Sequence, residues 1–287
     1  MQQLEANFHT VEIDGRPVSY RRFGNGSRKI LFYHGFPGSS VQIDFIRPHV
    51  AIYDLEIVCF DRPGYNGSHF NKEPQCKLTS KISKGLLASL GWSQCEVVSV
   101  SGGTPFLFSF VRSHPELVSR VTIISGLGPM SGVGFKRIMG WKSKAALRML
   151  PFVPERILKR VRTMPLQRRT KMMGRFLPAS RPDQEFMSHP KAKSMVVQGL
   201  NEALMQNGRG PKRDARVLTS KWNADLGQYA GPVDIWHGDQ DKIVPAAMAR
   251  SLSEALAGSR LNIVSGEGHY SLPVRNVGQI LAKRKPV

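Results

Sequence analysis

Short β-branched and apolar runs alternate with stretches of helical spacing along most of the chain. Val11-Glu-Ile-Asp-Gly-Arg-Pro-Val18-Ser-Tyr-Arg-Arg sets strand-forming residues on either side of Asp14-Gly15, which predicts a tight hairpin. A third strand, Lys29 to Tyr33, runs into His34-Gly-Phe-Pro-Gly-Ser-Ser40, a loop by its glycines and proline. A short helical stretch near Ile43 to Arg47, a strand from Glu56 to Phe60 and the loop Asp61-Arg-Pro-Gly-Tyr-Asn-Gly-Ser68 follow. Next come a helix from Thr79 to Leu90 stopped by Gly91, a strand leading to Ser101, a helix from Thr104 to Ser113 and a strand from Val121 to Ser125. Strands alternating with helices predict a mostly parallel sheet covered on both faces.

From Met130 to about Asp225 the strand-like runs vanish. Glu155-Arg-Ile-Leu-Lys-Arg-Val-Arg162 places Ile157, Leu158 and Val161 on one helical face, and prolines at 151, 154, 165, 178, 182 and 190 divide the region into short helices. Beyond Met130 itself, eight of the eleven methionines fall here, at 139, 149, 164, 172, 173, 187, 195 and 205. Such adaptable side chains suit an apolar wall as well as ordinary packing. The α/β rhythm returns with a strand at Pro232 to His237, a helix from Pro245 to Ala257, a strand at Arg260 to Val264, and a C-terminal helix before the basic tail Lys283-Arg-Lys. The expected organisation is an α/β core of residues 1–129 and 226–287 carrying a helical cap of residues 130–225.

Composition adds three constraints. A chain of 287 residues buries a full core. Three cysteines without metal-type spacing predict neither a disulfide frame nor a zinc site, and the absence of a signal segment or an apolar run of membrane-spanning length predicts a soluble, cytoplasmic protein. The net charge is +20, and Ser131 to Lys221 holds 21 Lys and Arg against Glu155, Asp183, Glu185, Glu202 and Asp214, or +16 of that total. A field of this size is either a solvated face or a weak attractor of anionic lipid, nucleic acid or anionic substrate. Oligomeric state is left open.

The chemistry centres on Ser99-Val-Ser-Gly-Gly103, which follows a strand and precedes a helix. Small residues around Ser101 allow the sharp turn of a nucleophile elbow. The elbow holds the Ser101 hydroxyl in a strained, exposed position; Ser99 stands where the usual pattern has glycine, a departure that costs little if the turn accepts its small side chain and whose mark would be a strained φ at Ser99. Asp241 and His269 also follow strands, and the order Ser, acid, His is the α/β-hydrolase order. Asp239 competes with Asp241 as the acid or serves the turn. His34, His114 and His237 stand in contexts that look structural, and Asp61 and Arg62 in one that fixes a turn.

His34-Gly-Phe-Pro-Gly-Ser, Asp61-Arg-Pro-Gly-Tyr-Asn-Gly-Ser, Ser99-Val-Ser-Gly-Gly, Gly238-Asp-Gln-Asp-Lys-Ile-Val-Pro and Gly268-His together resemble the α/β-hydrolase fold family over nearly the whole chain. The resemblance implies a mostly parallel eight-stranded sheet with an inserted helical cap. It also implies Ser101 as nucleophile, His269 as base, Asp241 as the acid that orients it, and the backbone N–H groups of Phe36 and Gly102 as an oxyanion hole. No cofactor or metal is implied.

Relatives with these motifs include esterases, proline iminopeptidases, epoxide hydrolases, dehalogenases and carbon–carbon bond hydrolases. Ser101 disfavours the classes that use an Asp nucleophile, and epoxide hydrolases also need cap tyrosines, whereas no Tyr lies between Tyr65 and Tyr229. A basic cap disfavours the ammonium substrate of an iminopeptidase-like peptidase or amidase. The leading expectation is a serine hydrolase acting on a carboxylic ester or thioester of a small to medium apolar substrate, neutral or carrying a carboxylate or phosphate. The alternative from another class is a ligand-binding or signalling protein on the same fold.

Overall fold

Asp14 and Gly15 both take left-handed backbone, at φ +50° and +70°, as a two-residue reversal requires if its strands are to keep their twist. They join β1 (Asn7–Ile13) to β2 (Arg16–Phe23), with Val11 opposite Val18. The structure, a computed structural model, describes residues 7–129, 140–165, 179–222 and 224–282, together with Arg168 and Met172. The expected start of the helical segment at Met130, its Met139, Met173 and Pro178, and the tail Lys283-Arg-Lys lie outside the described residues.

Six further strands complete one sheet: β3 (Arg28–Tyr33), β4 (Leu55–Phe60), β5 (Cys95–Val100), β6 (Val118–Ile124), β7 (Val233–Gly238) and β8 (Arg260–Val264). Their order is β1-β2-β4-β3-β5-β6-β7-β8, antiparallel at β1, β2 and β4 and parallel from β4 to β8. Because β4 lies on one side of β3 and β5 on the other, the winding reverses at β3. The carboxyl ends of β3 and β5 therefore open the crevice where sheets of this kind bind ligands.

Both faces of the sheet are covered, so its strands read as apolar runs with a period of two within them. Leu31, Tyr33, Val58 and Phe60 pack beneath α1 (Gln75–Ser89) and α2 (Thr104–Ser113), while Ile30, Phe32, Ile57 and Cys59 pack on the other face with Leu272, Val277 and Ile280. The first turn of α1 precedes the expected start at Thr79. Gln75 opens it as a buried polar residue, donating to Pro63 O at 3.1 Å, a role that apolar periodicity does not register.

Between β6 and β7 the described chain forms α3 (Trp141–Met149), α4 (Glu155–Thr163), α5 (Arg181–Ser188), α6 (Pro190–Ala203) and α7 (Arg209–Thr219). Pro154, Pro182 and Pro190 stand at helix starts, where a missing N–H costs no hydrogen bond. In α4 only Leu158 is fully buried. Ile157, expected on the inward face, is exposed because the helix meets its neighbours along a single row. After β7 come α8 (Ala247–Ala255) and, in place of one C-terminal helix, α9 (Ser271–Arg275) and α10 (Val277–Leu281). Asn276 separates the last two, with its backbone outside the helical region.

The helical insertion is fixed to the core by buried charge. Asp214 on α7 accepts from Arg62 Nη2 at 2.6 Å, Arg62 Nε at 2.8 Å, Tyr65 Oη at 2.7 Å and Gln75 Nε2 at 3.2 Å, and neither ion is appreciably exposed. Arg62 also donates to His34 O and Gly35 O and lies over the Phe106 ring. Glu202 on α6 pairs with Arg21 and accepts from Ser39 Oγ at 2.6 Å. Removing one partner of such a pair leaves the other charge buried and unmatched. Asp214→Ala is expected to lower unfolding stability by about 3 kcal/mol or more in urea titrations, whereas Glu155→Ala, which breaks only the partly exposed pair with Arg209, is expected to cost less than about 1 kcal/mol.

Candidate active site

At the end of β5 the chain turns at Ser101, whose φ of +53° is unusual for a residue with a side chain, and enters α2. The strain lies at Ser101, as the elbow reading expects, and the strained φ that the departure at Ser99 could have brought is not there. Ser99 is an ordinary strand residue paired with Tyr33 and Ile123, so its small Cβ needs no unusual backbone; its hydroxyl is buried without a hydrogen-bond partner. Glycine is required on the far side of the turn instead. A Cβ on Gly103 would lie 2.5 Å from Tyr33 O, and one on Gly102 would lie 2.6 Å from Phe36 Cβ. Ser101 O anchors the turn by accepting from Thr104 Oγ1 at 2.8 Å and Leu127 N at 3.1 Å.

The three separated sequence candidates meet. His269 Nε2 lies 3.1 Å from Ser101 Oγ, and His269 Nδ1 lies 2.7 Å from Asp241 Oδ2. Asp241 Oδ1 accepts from Ile243 N at 2.9 Å and Val244 N at 2.8 Å, so its second oxygen faces the imidazole. Asp239 does not compete. It accepts from Gly266 N and Ser265 Oγ and holds the turn after β8. His237 donates from Nε2 to Val244 O at 2.7 Å and lies 3.3 Å from Asp241 Oδ2.

Burial works against charge on both Asp241 and His269. For Asp241, the neighbouring His269 and the hydrogen bonds from His237 and His269 outweigh it and hold the carboxyl well below the usual range. For His269, the charge and hydrogen bond of Asp241 and the charge of Asp183 outweigh it and raise the imidazole above its ordinary value of 6.5. His34 behaves oppositely: burial and the Arg62 charge push it down, and its Nε2 accepts from Arg62 N as a neutral ring would.

The loop bearing Phe36 is rigid for visible reasons. Gly35 N donates to Gln42 Oε1 at 2.7 Å, Ser40 N to Asp61 Oδ1 at 2.7 Å, and Arg62 holds the carbonyls of His34 and Gly35. Asp61 and Arg62 thus fix the turn, as their context suggested. Phe36 and Gly102 both border Ser101, on the side of a cavity of about 240 Å³ lined by Leu127, Ala146, Leu147, Leu150, Leu218 and Val244 among others. A second cavity of about 70 Å³ opens on the His269 side, bounded by Gln42, Phe186, Met195, Leu200 and Tyr270. Among the described residues lining either cavity there is no Lys, Arg, Asp or Glu.

A family model described as alpha/beta hydrolase fold matches residues 29–275. The chain belongs to the alpha/beta hydrolase fold family. A 2-hydroxy-6-oxo-6-phenylhexa-2,4-dienoate hydrolase of Comamonas testosteroni is 22% identical to this chain over 264 residues, which is 88% of this chain and 85% of the relative. Epoxide hydrolase 3 of Mus musculus is 27% identical over 168 residues, 54% of this chain and 44% of that protein's length. Among solved structures, a bromoperoxidase from Bacillus anthracis superposes with a TM-score of 0.72 at 16% identity, covering 96% of this chain and 99% of the other. An enol-lactonase from Burkholderia xenovorans LB400 gives 0.68 at 15%, covering 95% and 96%. At those identities the structural likeness concerns the fold.

One residue of the site was not legible in sequence. Asp183, on α5 of the helical insertion, is fully buried and receives four hydrogen bonds: His269 N at 3.0 Å and Ser180 Oγ at 2.8 Å on Oδ2, Tyr270 N at 2.7 Å and Ser271 N at 3.1 Å on Oδ1. It caps α9 from outside and fixes the backbone of His269. Gly268 belongs to the same device, because a Cβ there would lie 2.5 Å from Asp183 Cγ. The only sequence signal was an acid within a basic segment, which does not point to a partner 86 residues away. Asp183→Asn turns one acceptor oxygen into a donor facing backbone donors. It is expected to cost about 2 kcal/mol or more in denaturant unfolding and to raise the exchange rate of the His269 and Tyr270 amides in hydrogen–deuterium exchange.

Proposed function

We propose that the protein is a serine hydrolase that cleaves a neutral, apolar carboxylic ester through an acyl-enzyme. The reading is carried by the hydrogen-bonded series Ser101 Oγ, His269 and Asp241, with Ser101 held at a positive φ beside Phe36 and Gly102. His269 Nε2 takes the Ser101 proton as Oγ bonds to the acyl carbon, and Asp241 stabilises the imidazolium so formed. The carbonyl oxygen, now anionic, lies toward the N–H groups of Phe36 and Gly102, which their loops have already oriented. His269 returns the proton to the leaving oxygen as the C–O bond breaks. Water, deprotonated by the same imidazole, then releases the acid and restores Ser101.

Because His269 must protonate the leaving group, that group occupies the smaller cavity on its side and the acyl group occupies the larger one by Gly102. The uncharged lining among the described residues supports a neutral acyl chain over one bearing carboxylate or phosphate, despite the basic exterior. It also separates this chain from its Comamonas relative, whose name specifies a carboxylate. A peptidase for substrates with a free ammonium finds no carboxylate to bind it: Asp183, Glu202 and Asp214 are engaged as described, Glu155 pairs with Arg209, and Glu185 with Arg181 and Arg275. A ligand-binding protein without turnover remains the reading to be tested against.

Three outcomes are expected. Wild-type protein is labelled by a fluorophosphonate and turns over short p-nitrophenyl esters, while Ser101→Ala does neither. Turnover that survives Ser101→Ala overturns the mechanism, and stoichiometric small-molecule binding without turnover by wild type favours the ligand-binding reading. The general base must be neutral, so kcat/KM rises with pH through the raised His269 value, with its midpoint above 6.5. Asp241→Asn is expected to reduce kcat by about 10³- to 10⁴-fold and to move that midpoint downward, because the charge that raises it is gone.

A further inference from the structure

Helix α3 and the turn after it are apolar on two opposite faces. Ser143, Ala146, Leu147 and Leu150 line the larger cavity beside Ser101. Trp141, Ala145, Met149 and Phe152 recur at intervals of three or four residues, and so share another face. On that face Trp141, Met149 and Phe152 are 75%, 62% and 75% exposed, and Ile157 on α4 adds a fourth large apolar side chain at 46%. Single exposed hydrophobic residues are ordinary. Four of them within residues 141–157, three on a helical segment whose other face already lines the cavity, mark a surface that meets something.

What surrounds the stripe identifies its partner. Arg148, Arg156, Lys159 and Arg160 are all exposed, and among the described residues no ion pair engages any of them. The nearest acid in sequence, Glu155, is taken by Arg209. Exposed aromatic and aliphatic side chains interspersed along residues 141–160 with exposed cations that no described ion pair engages have the chemistry of an interfacial segment: apolar groups enter the acyl boundary while Arg and Lys remain among the phosphates. Nucleic acid would use the cations and the two aromatic rings but offers nothing to Met149 or Ile157. No helix among the described residues is long and apolar enough to cross a membrane.

We propose that the face formed by Met149, Phe152 and Ile157 with Arg148, Arg156, Lys159 and Arg160 binds the surface of an anionic phospholipid bilayer. The inference stands whether or not Ser101 is the nucleophile. Purified full-length protein is mixed with extruded vesicles of phosphatidylcholine containing phosphatidylglycerol, or of phosphatidylcholine alone, and sedimented. Binding to the anionic vesicles is expected to exceed that to neutral ones by at least about tenfold and to weaken with salt. The double variants Met149→Ser/Phe152→Ser and Arg156→Glu/Arg160→Glu are each expected to lose at least about tenfold in affinity while unfolding at the wild-type temperature. Absence of binding to anionic vesicles overturns the proposal. So does binding that survives the serine variant, fails with the charge reversal, and is matched in strength by a single-stranded oligonucleotide, since the partner is then nucleic acid.

Discussion

The carboxylate of Asp183 joins the two halves of this molecule at the point where chemistry is expected. Three consecutive backbone N–H groups, at His269, Tyr270 and Ser271, have no helical acceptor, because α9 begins with them. Buried donors of that kind must be satisfied or the loop does not keep its shape. Their acceptor comes from the helical insertion, across the crevice. The imidazole position is thus set twice, by Asp241 through its side chain and by Asp183 through its backbone, and only Asp241 comes from a loop of the sheet core, after β7. A change in how α5 sits on the core is therefore transmitted directly to the His269 backbone.

The same economy explains the charge distribution. Asp183, Glu202 and Asp214 are turned inward, where each satisfies core groups that would otherwise be buried without partners: the start of α9, Arg21 with Ser39, and Arg62 with Tyr65. Acids spent in this way no longer offset the basic residues around them. The segment's formal +16 already counts these three acids; with them turned toward the core, only Glu155 and Glu185 are left among its acids to offset its 21 Lys and Arg at the surface. Among the described residues the cavity linings hold no Lys, Arg, Asp or Glu, so the basic side chains described in this segment lie outside the cavities.

Much of this was legible from local rules. Asp14-Gly15, the alternation in β3 and β4, the helix at Thr104 to Ser113, and the placement of Ser101, Asp241 and His269 after strands all follow from turn chemistry and periodicity, and the structure brings those three side chains together. In the sequence only the resemblance to the family pattern favoured Asp241 over Asp239; the physical difference is structural, since Asp239 uses both oxygens on the turn after β8 while Asp241 keeps Oδ2 for His269. Ser99, the one departure from the pattern, costs nothing in backbone geometry because it is still a paired strand residue, and the turn places the strain one residue past the strand, at Ser101. Asp183, Glu202 and Asp214 were seen only as charges. Their roles depend on contacts between residues about 90 to 180 positions apart, which no local rule encodes.

Helix α3 brings these considerations together. With the turn after it, it walls the larger cavity beside Ser101 with Ala146, Leu147 and Leu150 and carries Met149 and Phe152 outward, so the inner and outer apolar rows alternate along one short segment. Leu147, Met149 and Leu150 are joined through one backbone, so the proposed membrane face and the cavity lie on opposite sides of a single helical thickness, about 10 Å with side chains. On the membrane proposal, an apolar ester leaving the bilayer has only that segment between the lipid surface and Ser101.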